Sequence, residues 1–76
     1  MTEQEIQILL DAGFDMNGID NNLDVFVDAK RFLDDHILVF TELKGMCRSK
    51  DNPCGWFIEA LRGKVSDSRQ DRRKFL

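Results

Sequence analysis

The chain has few of the residues on which enzymes, metal sites and membrane anchors usually depend. It contains one histidine, His36, and two cysteines, and its glycines are scattered rather than gathered into a phosphate-binding loop. No apolar run approaches the roughly 18 residues that a membrane-spanning helix needs. The N-terminus, MTEQEIQ, is acidic and lacks the basic start of a secretory signal. These absences predict a cytoplasmic protein whose cysteines are reduced thiols.

The same absences argue against catalysis and metal binding. A nucleophilic mechanism needs Ser or Cys beside a base, and a lone histidine in a first helical turn, such as His36, is more often packed or solvated than catalytic. Cys47 and Cys54 have six residues between them, which is not the spacing of a zinc knuckle, and no other Cys or His completes four ligands. Cys54 follows a predicted helix start, where the helix dipole can lower a thiol pKa; the alternative is that it fills a small slot in the packing. We therefore predict no enzymatic activity, no metal and no cofactor.

Size and charge bound the architecture. Seventy-six residues allow one small domain. Residues 1–61 hold five Lys/Arg against twelve Asp/Glu, a net of −7, and residues 62–76 hold six against two, a net of +4. An acidic body followed by a basic end is typical of a chain whose end contacts nucleic acid or another acidic surface.

A capping box begins the first predicted helix. In T-E-Q-E the Thr2 hydroxyl can accept a hydrogen bond from the backbone of Glu5, while the Glu5 carboxylate accepts one from the backbone of Thr2. Apolar residues then recur at helical spacing until Gly13, so we expect a helix over residues 3–12 that this glycine closes. Residues 15–21 contain Asn-Gly and predict a loop.

Two further helices are predicted before the charged loop RSKD. The second begins near Asp20 or Asn22 and carries a wide apolar stripe. The stripe consists of Val25, Phe26, Ala29, Phe32 and Leu33. Asp34 or Asp35 caps the third helix, residues 35–47, which is apolar nearly all round and is therefore expected to be the central one. The segment ILVFTEL would also suit a buried strand, but no partner strand is visible for it.

The stretch DNPCGWFIEALRGK is the most informative part of the chain. Asn52 is expected to cap a fourth helix with Pro53 in the first position, where the missing N–H has no intrahelical partner anyway. Trp56 is predicted to be the buried anchor that docks this helix between the second and third, with a ligand-stacking role as the alternative. Gly55 would let another backbone come close, and Gly63 would end the helix. The predicted structural residues of this block are Asn52, Pro53, Gly55, Trp56, Phe57 and Leu61.

The predicted fold is all-α: a compact bundle of three to four short helices with a flexible basic C-terminal tail. The helical domain would cover residues 1–63, and residues 64–76, rich in Ser, Arg and Asp, would form a tail that is mostly disordered, or helical only in contact with another molecule. The positive charges at this end are the candidate phosphate contacts. They are Arg62, Lys64, Arg69, Arg72, Arg73 and Lys74.

Two segments of the chain, taken in order, resemble a known protein module. The block from Asn52 to Leu61 reads NPCGWFIEAL, and an earlier segment reads LLDAG, ending at Gly13. Together they resemble the small helical C-terminal module of plasmid and phage replication-initiation proteins and of DnaD-like primosomal proteins, over about residues 3–62. Members of that family usually carry the module after a DNA-binding winged helix, which is not found in this sequence. The resemblance implies a role in replication through contact with a protein partner or with single-stranded DNA.

Two functions therefore lead at this point. The first is a non-enzymatic interaction module of a plasmid or phage replication machinery, whose acidic body docks a partner protein and whose basic tail binds single-stranded DNA weakly. The second is a small regulator encoded by a phage or mobile element, which inhibits a host protein through its acidic surface. Salt dependence separates them, because phosphate contacts weaken steeply as salt rises. An enzyme is the least favoured class.

Overall fold

The computed structural model describes the backbone of residues 1–74 and the side chains of residues 1–70. This part of the chain is helical and contains no strand, so the all-α prediction is confirmed. The helices are α1 (Glu3–Asp11), α2 (Met16–Asn21), α3 (Leu23–Phe32), α4 (His36–Cys47) and α5 (Pro53–Lys74). None of the described helices is both long enough and apolar enough to span a bilayer.

Two of the predicted helix starts are confirmed by their capping hydrogen bonds. At α1, the backbone N–H of Glu5 donates to the Thr2 hydroxyl over 3.3 Å, and the N–H of Thr2 donates to the Glu5 carboxylate over 3.1 Å. At α4, the N–H of Leu38 donates to the Asp35 carboxylate over 3.1 Å. Gly13, just beyond α1, has a φ of +111°, which favours glycine over any other residue.

The predicted loop over residues 15–21 is wrong, because most of it forms α2. Asp15 caps this helix by accepting from the N–H of Gly18 over 2.6 Å. Ile19 is buried in the core, and the Asn22 side chain donates to the carbonyl of Gly18 over 2.8 Å. The Asn-Gly pair indicates a turn when read alone, but the aspartate cap and the burial of one isoleucine stabilise a short helix instead.

The centre of the core is a cluster of phenylalanine rings contributed by four segments of the chain. Phe57 lies edge-on to Phe14, Phe26 and Phe40, with ring centroids 5.4, 6.5 and 6.0 Å away. Such edge-to-face pairs add to the gain from burial. Phe26 of α3 likewise contacts the three other rings, so α3 and α5 each supply a ring that joins the cluster, and α5 packs against both α3 and α4.

Helix α4, expected to be central because it is apolar nearly all round, packs against α1 and α5 but is buried over only part of its circumference. Phe40, Leu43 and Cys47 are buried, but Leu38 and Met46 are more than half exposed. The apolar residues of α4 thus extend around more of the helix than the core buries. Its apolar composition alone therefore predicted more burial than the helix has.

Helix α5 continues well beyond Gly63, where the sequence predicted its end. Val65 is only 6% exposed and lies in the same buried stripe as Phe57 and Leu61, at the i, i+4, i+8 spacing of one helix face. Gly63 does not adopt a positive φ and sits inside the helix. The structure continues α5 over residues 64–74, the segment for which we predicted a mostly disordered tail, and burial of Val65 holds the helix past the glycine. Residues 75–76 lie outside the described part.

Candidate functional site

The described basic side chains of α5 project from a helix. Arg62, Lys64 and Arg69 are exposed. Arg62 and Arg69 are seven positions apart, which is nearly two full turns, so they share one side of α5, whereas Lys64 projects from another. The side chains of the remaining predicted contacts lie outside the described residues. These are Arg72, Arg73 and Lys74.

An open groove of about 340 Å³ separates α3 from the second half of α5. We call it the α3–α5 groove. Its lining residues are Asp24, Val25 and Asp28 from α3 and Arg62, Val65, Ser66 and Arg69 from α5. The groove thus has carboxylates on one wall, guanidinium groups on the other, and valines between them. Two of the predicted phosphate contacts therefore share a groove with negative charges of the body.

These charges are not paired with each other. Among the described residues, neither Asp24 nor Asp28 forms an ion pair with Arg62 or Arg69. The guanidinium of Arg69 instead lies 5.1 Å from the centre of the Phe32 ring, close enough for a cation–π interaction. The groove therefore presents both signs of charge to a partner.

The Asn-Pro block begins α5 as predicted. The N–H of Gly55 donates to the side-chain oxygen of Asn52 over 3.2 Å, and Pro53 is the first helical residue. A β-carbon at Gly55 would lie 2.5 Å from the Asn52 amide nitrogen. The glycine therefore makes room for the capping side chain, and not for another backbone as we expected.

The predicted anchor of this helix is displaced by one residue. Trp56 is only partly buried, and the Lys50 ammonium lies 5.3 Å from its ring centre. Phe57 is 0% exposed and takes the anchoring position, with Leu61 fully buried one turn later. Adjacent residues are about 100° apart on a helix, so the stripe that includes Phe57 places Trp56 at its edge.

A second cavity, of about 310 Å³, lies beside the start of α5. It is lined by Phe14, Asn22, Cys54, Gly55, Ile58, Glu59 and Arg62. Burial raises the pKa of the Cys54 thiol, and Cys47 and Asp15 nearby raise it further. A helix-activated thiol of low pKa is therefore not what the fold provides, and the role of Cys54 as a small packing residue fits its position.

Cys47 is a packing residue of the core. It is buried, and its thiol lies 3.3 Å from the carbonyl oxygen of Lys44 and 3.7 Å from that of Ala12. Both cysteines are free thiols. Within the described residues, no group of three or more His, Cys, Asp or Glu side chains could hold a metal ion.

A buried ionic cluster at the edge of α1 was not predicted. The Glu5 side chain, in a residue that is 3% exposed, accepts from His36 over 2.9 Å and lies 3.5 Å from the ammonium of Lys30. Burial alone would raise the pKa of Glu5, but hydrogen bonds from His36 and the Thr2 backbone, with the nearby Lys30 charge, together hold it below its ordinary value. His36 is thus a packed residue that ties α4 to α1.

Comparison of the chain with protein-family models, with curated proteins and with solved structures gives no match.

Proposed function

We propose that this chain is a non-enzymatic interaction module of a plasmid or phage DNA-replication machinery. Its acidic helical body docks a partner protein in the cytoplasm, and the basic second half of α5 contacts single-stranded DNA. The observation that carries the proposal is the division of charge, with a net of −7 over residues 1–61 and +4 over residues 62–76. The resemblance of the Asn52–Leu61 block to initiator and primosomal modules supplies the replication context.

The exposed side chains of α5 support weak binding to phosphate. Arg62, Lys64 and Arg69 all reach solvent from a helix. Asp24 and Asp28 stand across the groove from the two arginines, so part of their attraction for a phosphate is offset. Residues 62–76 therefore suit a few phosphate contacts. We expect little dependence on base sequence, because phosphate contacts position a protein without reading bases.

The acidic body supports the protein-docking half of the proposal. Its exposed carboxylates are spread over the first four helices and their connections. A surface of one sign steers the approach of a partner of the opposite sign. The partner of the body is therefore expected to present a basic surface.

Fluorescence anisotropy of a labelled single strand at several salt concentrations tests the DNA contact. Binding should weaken with a slope of about −2 to −3 in log affinity against log salt, since each neutralised phosphate contributes about −0.7 on single strands. A cut after Gly63 is unsuitable because it removes the buried Val65. Arg62→Gln with Lys64→Gln should instead weaken binding and flatten the slope by about 1.

Arg31→Gln with Arg48→Gln is the matched control, since both residues are exposed on the body and the net charge changes equally. A control pair that weakens binding as much as the α5 pair would mean that only net charge matters. If the unaltered chain does not bind at low salt, the DNA contact is wrong.

The exposed carboxylates also favour a second candidate, a mobile-element regulator that occupies the basic site of a host protein. Such a regulator would bind a basic protein and ignore DNA. Absence of DNA binding together with capture of a nucleic-acid-binding host protein, released by competing DNA, would favour this candidate over the first.

A further inference from the structure

The α3–α5 groove lies between two helices that run in the same direction. Asn22, just before α3, lines a cavity with Gly55 and Ile58 near the start of α5. Phe32, the last residue of α3, contacts Arg69 far along α5. Positions along one helix therefore correspond to positions along the other in the same order.

Because α3 and α5 run in the same direction, the acidic residues of α3 and the basic residues of α5 lie at similar positions along the groove. Asp24 lies nearest the level of Arg62, and Asp28 is one turn further toward Arg69. The acidic residues form one wall and the basic residues form the other. Leu23 and Val27 of α3 are 41% and 45% exposed but do not line the groove.

Such a surface is complementary to itself under one symmetry operation. A two-fold axis along the groove exchanges the two walls and keeps the direction of the helices. Each α3 then lies across the α5 of the other copy, with Asp24 facing Arg62 and Asp28 between the levels of Arg62 and Arg69. A two-fold axis across the groove would instead bring like charges together, which costs affinity. Closed two-fold pairs are the commonest assembly of soluble proteins.

We propose that a second copy of this chain docks in the α3–α5 groove, about a two-fold axis parallel to α3 and α5. The groove charges, which form no ion pair among residues 1–70 of one copy, become paired between copies. An ordinary interface of about 800 Å² per partner would take roughly one-sixth of the 5133 Å² surface of the chain. Pairing adds buried surface to a domain of a size that often needs it.

This inference goes beyond the proposed function and competes with it for Arg62 and Arg69, which are also candidate phosphate contacts. The pairing engages Arg62 and Arg69 and leaves Lys64, on another side of α5, for other contacts. Because the paired charges lie near the surface, association is expected to weaken as salt screens them.

Sedimentation equilibrium of the full chain, at low and high salt, gives the first test. The chain should dimerise reversibly, and more weakly at high salt. Two charge-reversed variants then test the geometry. The first is Asp24→Lys with Asp28→Lys, and the second is Arg62→Glu with Arg69→Glu.

Each reversed variant alone should dimerise at least about tenfold more weakly, because its two walls carry the same sign. An equimolar mixture should recover a heterodimer, since every contact then joins opposite charges. Glu42→Lys with Asp51→Lys is the control, because both residues are exposed and neither lines the groove; this variant should dimerise like the unaltered chain.

Three results would overturn the proposal: a chain that stays monomeric at about 1 mM (a concentration above weak protein affinities), reversed variants that dimerise unchanged, or a mixture that does not recover pairing.

Far-UV circular dichroism checks that each variant is helical. If a reversed pair unfolds, Asp24→Asn with Asp28→Asn and Arg62→Gln with Arg69→Gln decide, since each should weaken dimerisation and lower its salt dependence. A monomeric Asp24→Lys, Asp28→Lys variant that gains affinity for single-stranded DNA, with a monomeric parent, would assign the groove to nucleic acid instead.

Discussion

The two halves of α5 are stabilised in different ways. Residues 53–61 have a side-chain cap and two fully buried side chains, Phe57 and Leu61. Among the described residues beyond Leu61, Val65 is the single buried side chain, and Gly63 stands in the helix interior. The first half is therefore held by tertiary packing, and the second extends it with mostly polar residues. One helix thus contributes to the core at one end and exposes mostly polar side chains at the other.

The largest effect is expected from Phe57, whose ring makes three edge-to-face contacts in the core, with Phe14, Phe26 and Phe40. Phe57→Ala should lower the free energy of unfolding by about 3–5 kcal/mol, the usual range for a buried aromatic residue. That is a large share of the stability of a small domain. Chemical denaturation followed by circular dichroism gives the value.

Trp56→Ala, at the adjacent position, is the matched comparison for Phe57→Ala. Because Trp56 is partly buried at the edge of the stripe, its loss should cost clearly less, about 1–2 kcal/mol. If Trp56→Ala were as damaging as Phe57→Ala, the tryptophan would share the anchoring role, and the division of α5 into a packed face and an edge would need revision.

The ionic cluster of α1 offers a contrast with the packing of α5. Glu5→Gln should lower the free energy of unfolding by about 1–3 kcal/mol at neutral pH, because it removes a buried charge from its hydrogen-bonded partners. Folding lowers the pKa of Glu5, so its contribution is present above the ordinary glutamate pKa of about 4.3 and is lost as the pH falls through the lower folded value.

Denaturation curves of the parent and of Glu5→Gln, measured between neutral and acid pH, should therefore converge as the pH falls. Glu3→Gln, at an exposed position of the same helical turn, should behave like the parent at every pH. A difference that stays constant down to pH about 3 would show that the charge of Glu5 is not what stabilises the fold.

The cap of α5 should contribute less than its buried face. Asn52→Ala is expected to cost about 1 kcal/mol, since the side chain satisfies the N–H of Gly55. Pro53→Ala should cost little, because the first helical N–H has no partner within the helix. A larger loss for Pro53→Ala than for Asn52→Ala would place the start of the helix elsewhere.

The smallest expected effect is a gain in the second half of α5. A β-carbon at Gly63 would meet no atom within 4 Å. Gly63→Ala should therefore raise the free energy of unfolding by about 0.5–1 kcal/mol through helix propensity. No gain, in a variant whose helicity by circular dichroism matches the parent, would indicate that the second half contributes little to global stability.

The starts of α1, α4 and α5 were predictable because each is encoded by neighbouring residues. Thr2 with Glu5, Asp35, and Asn52 with Pro53 all act within four positions of the hydrogen bond that they form. The wide stripe of α3 was predictable for the same reason. These are local signals, and local hydrogen bonding follows from spacing alone.

The features that depend on tertiary contacts were not predictable. Trp56 and Phe57 are adjacent and both apolar, so only the position of the neighbouring helices decides which is buried. Glu5 and His36 are 31 positions apart, and no spacing rule joins them. The α3–α5 groove depends on the continuation of α5 past Gly63, which composition alone argued against. The basic residues on α5 could therefore be predicted as candidate contacts, but the position of Asp24 and Asp28 across the groove could not.

The placement of Trp56 also determines what an optical experiment on this protein would report. The chain has one tryptophan and no tyrosine, so its intrinsic emission comes from this ring almost alone. The ring lies at the edge of the first turns of α5, beside the Lys50 ammonium, and outside the phenylalanine cluster. Tryptophan emission therefore reports unfolding at the start of α5, whereas circular dichroism reports the helical content of the whole chain. A separation of the two unfolding midpoints would measure how independently the start of α5 opens from the rest of the bundle.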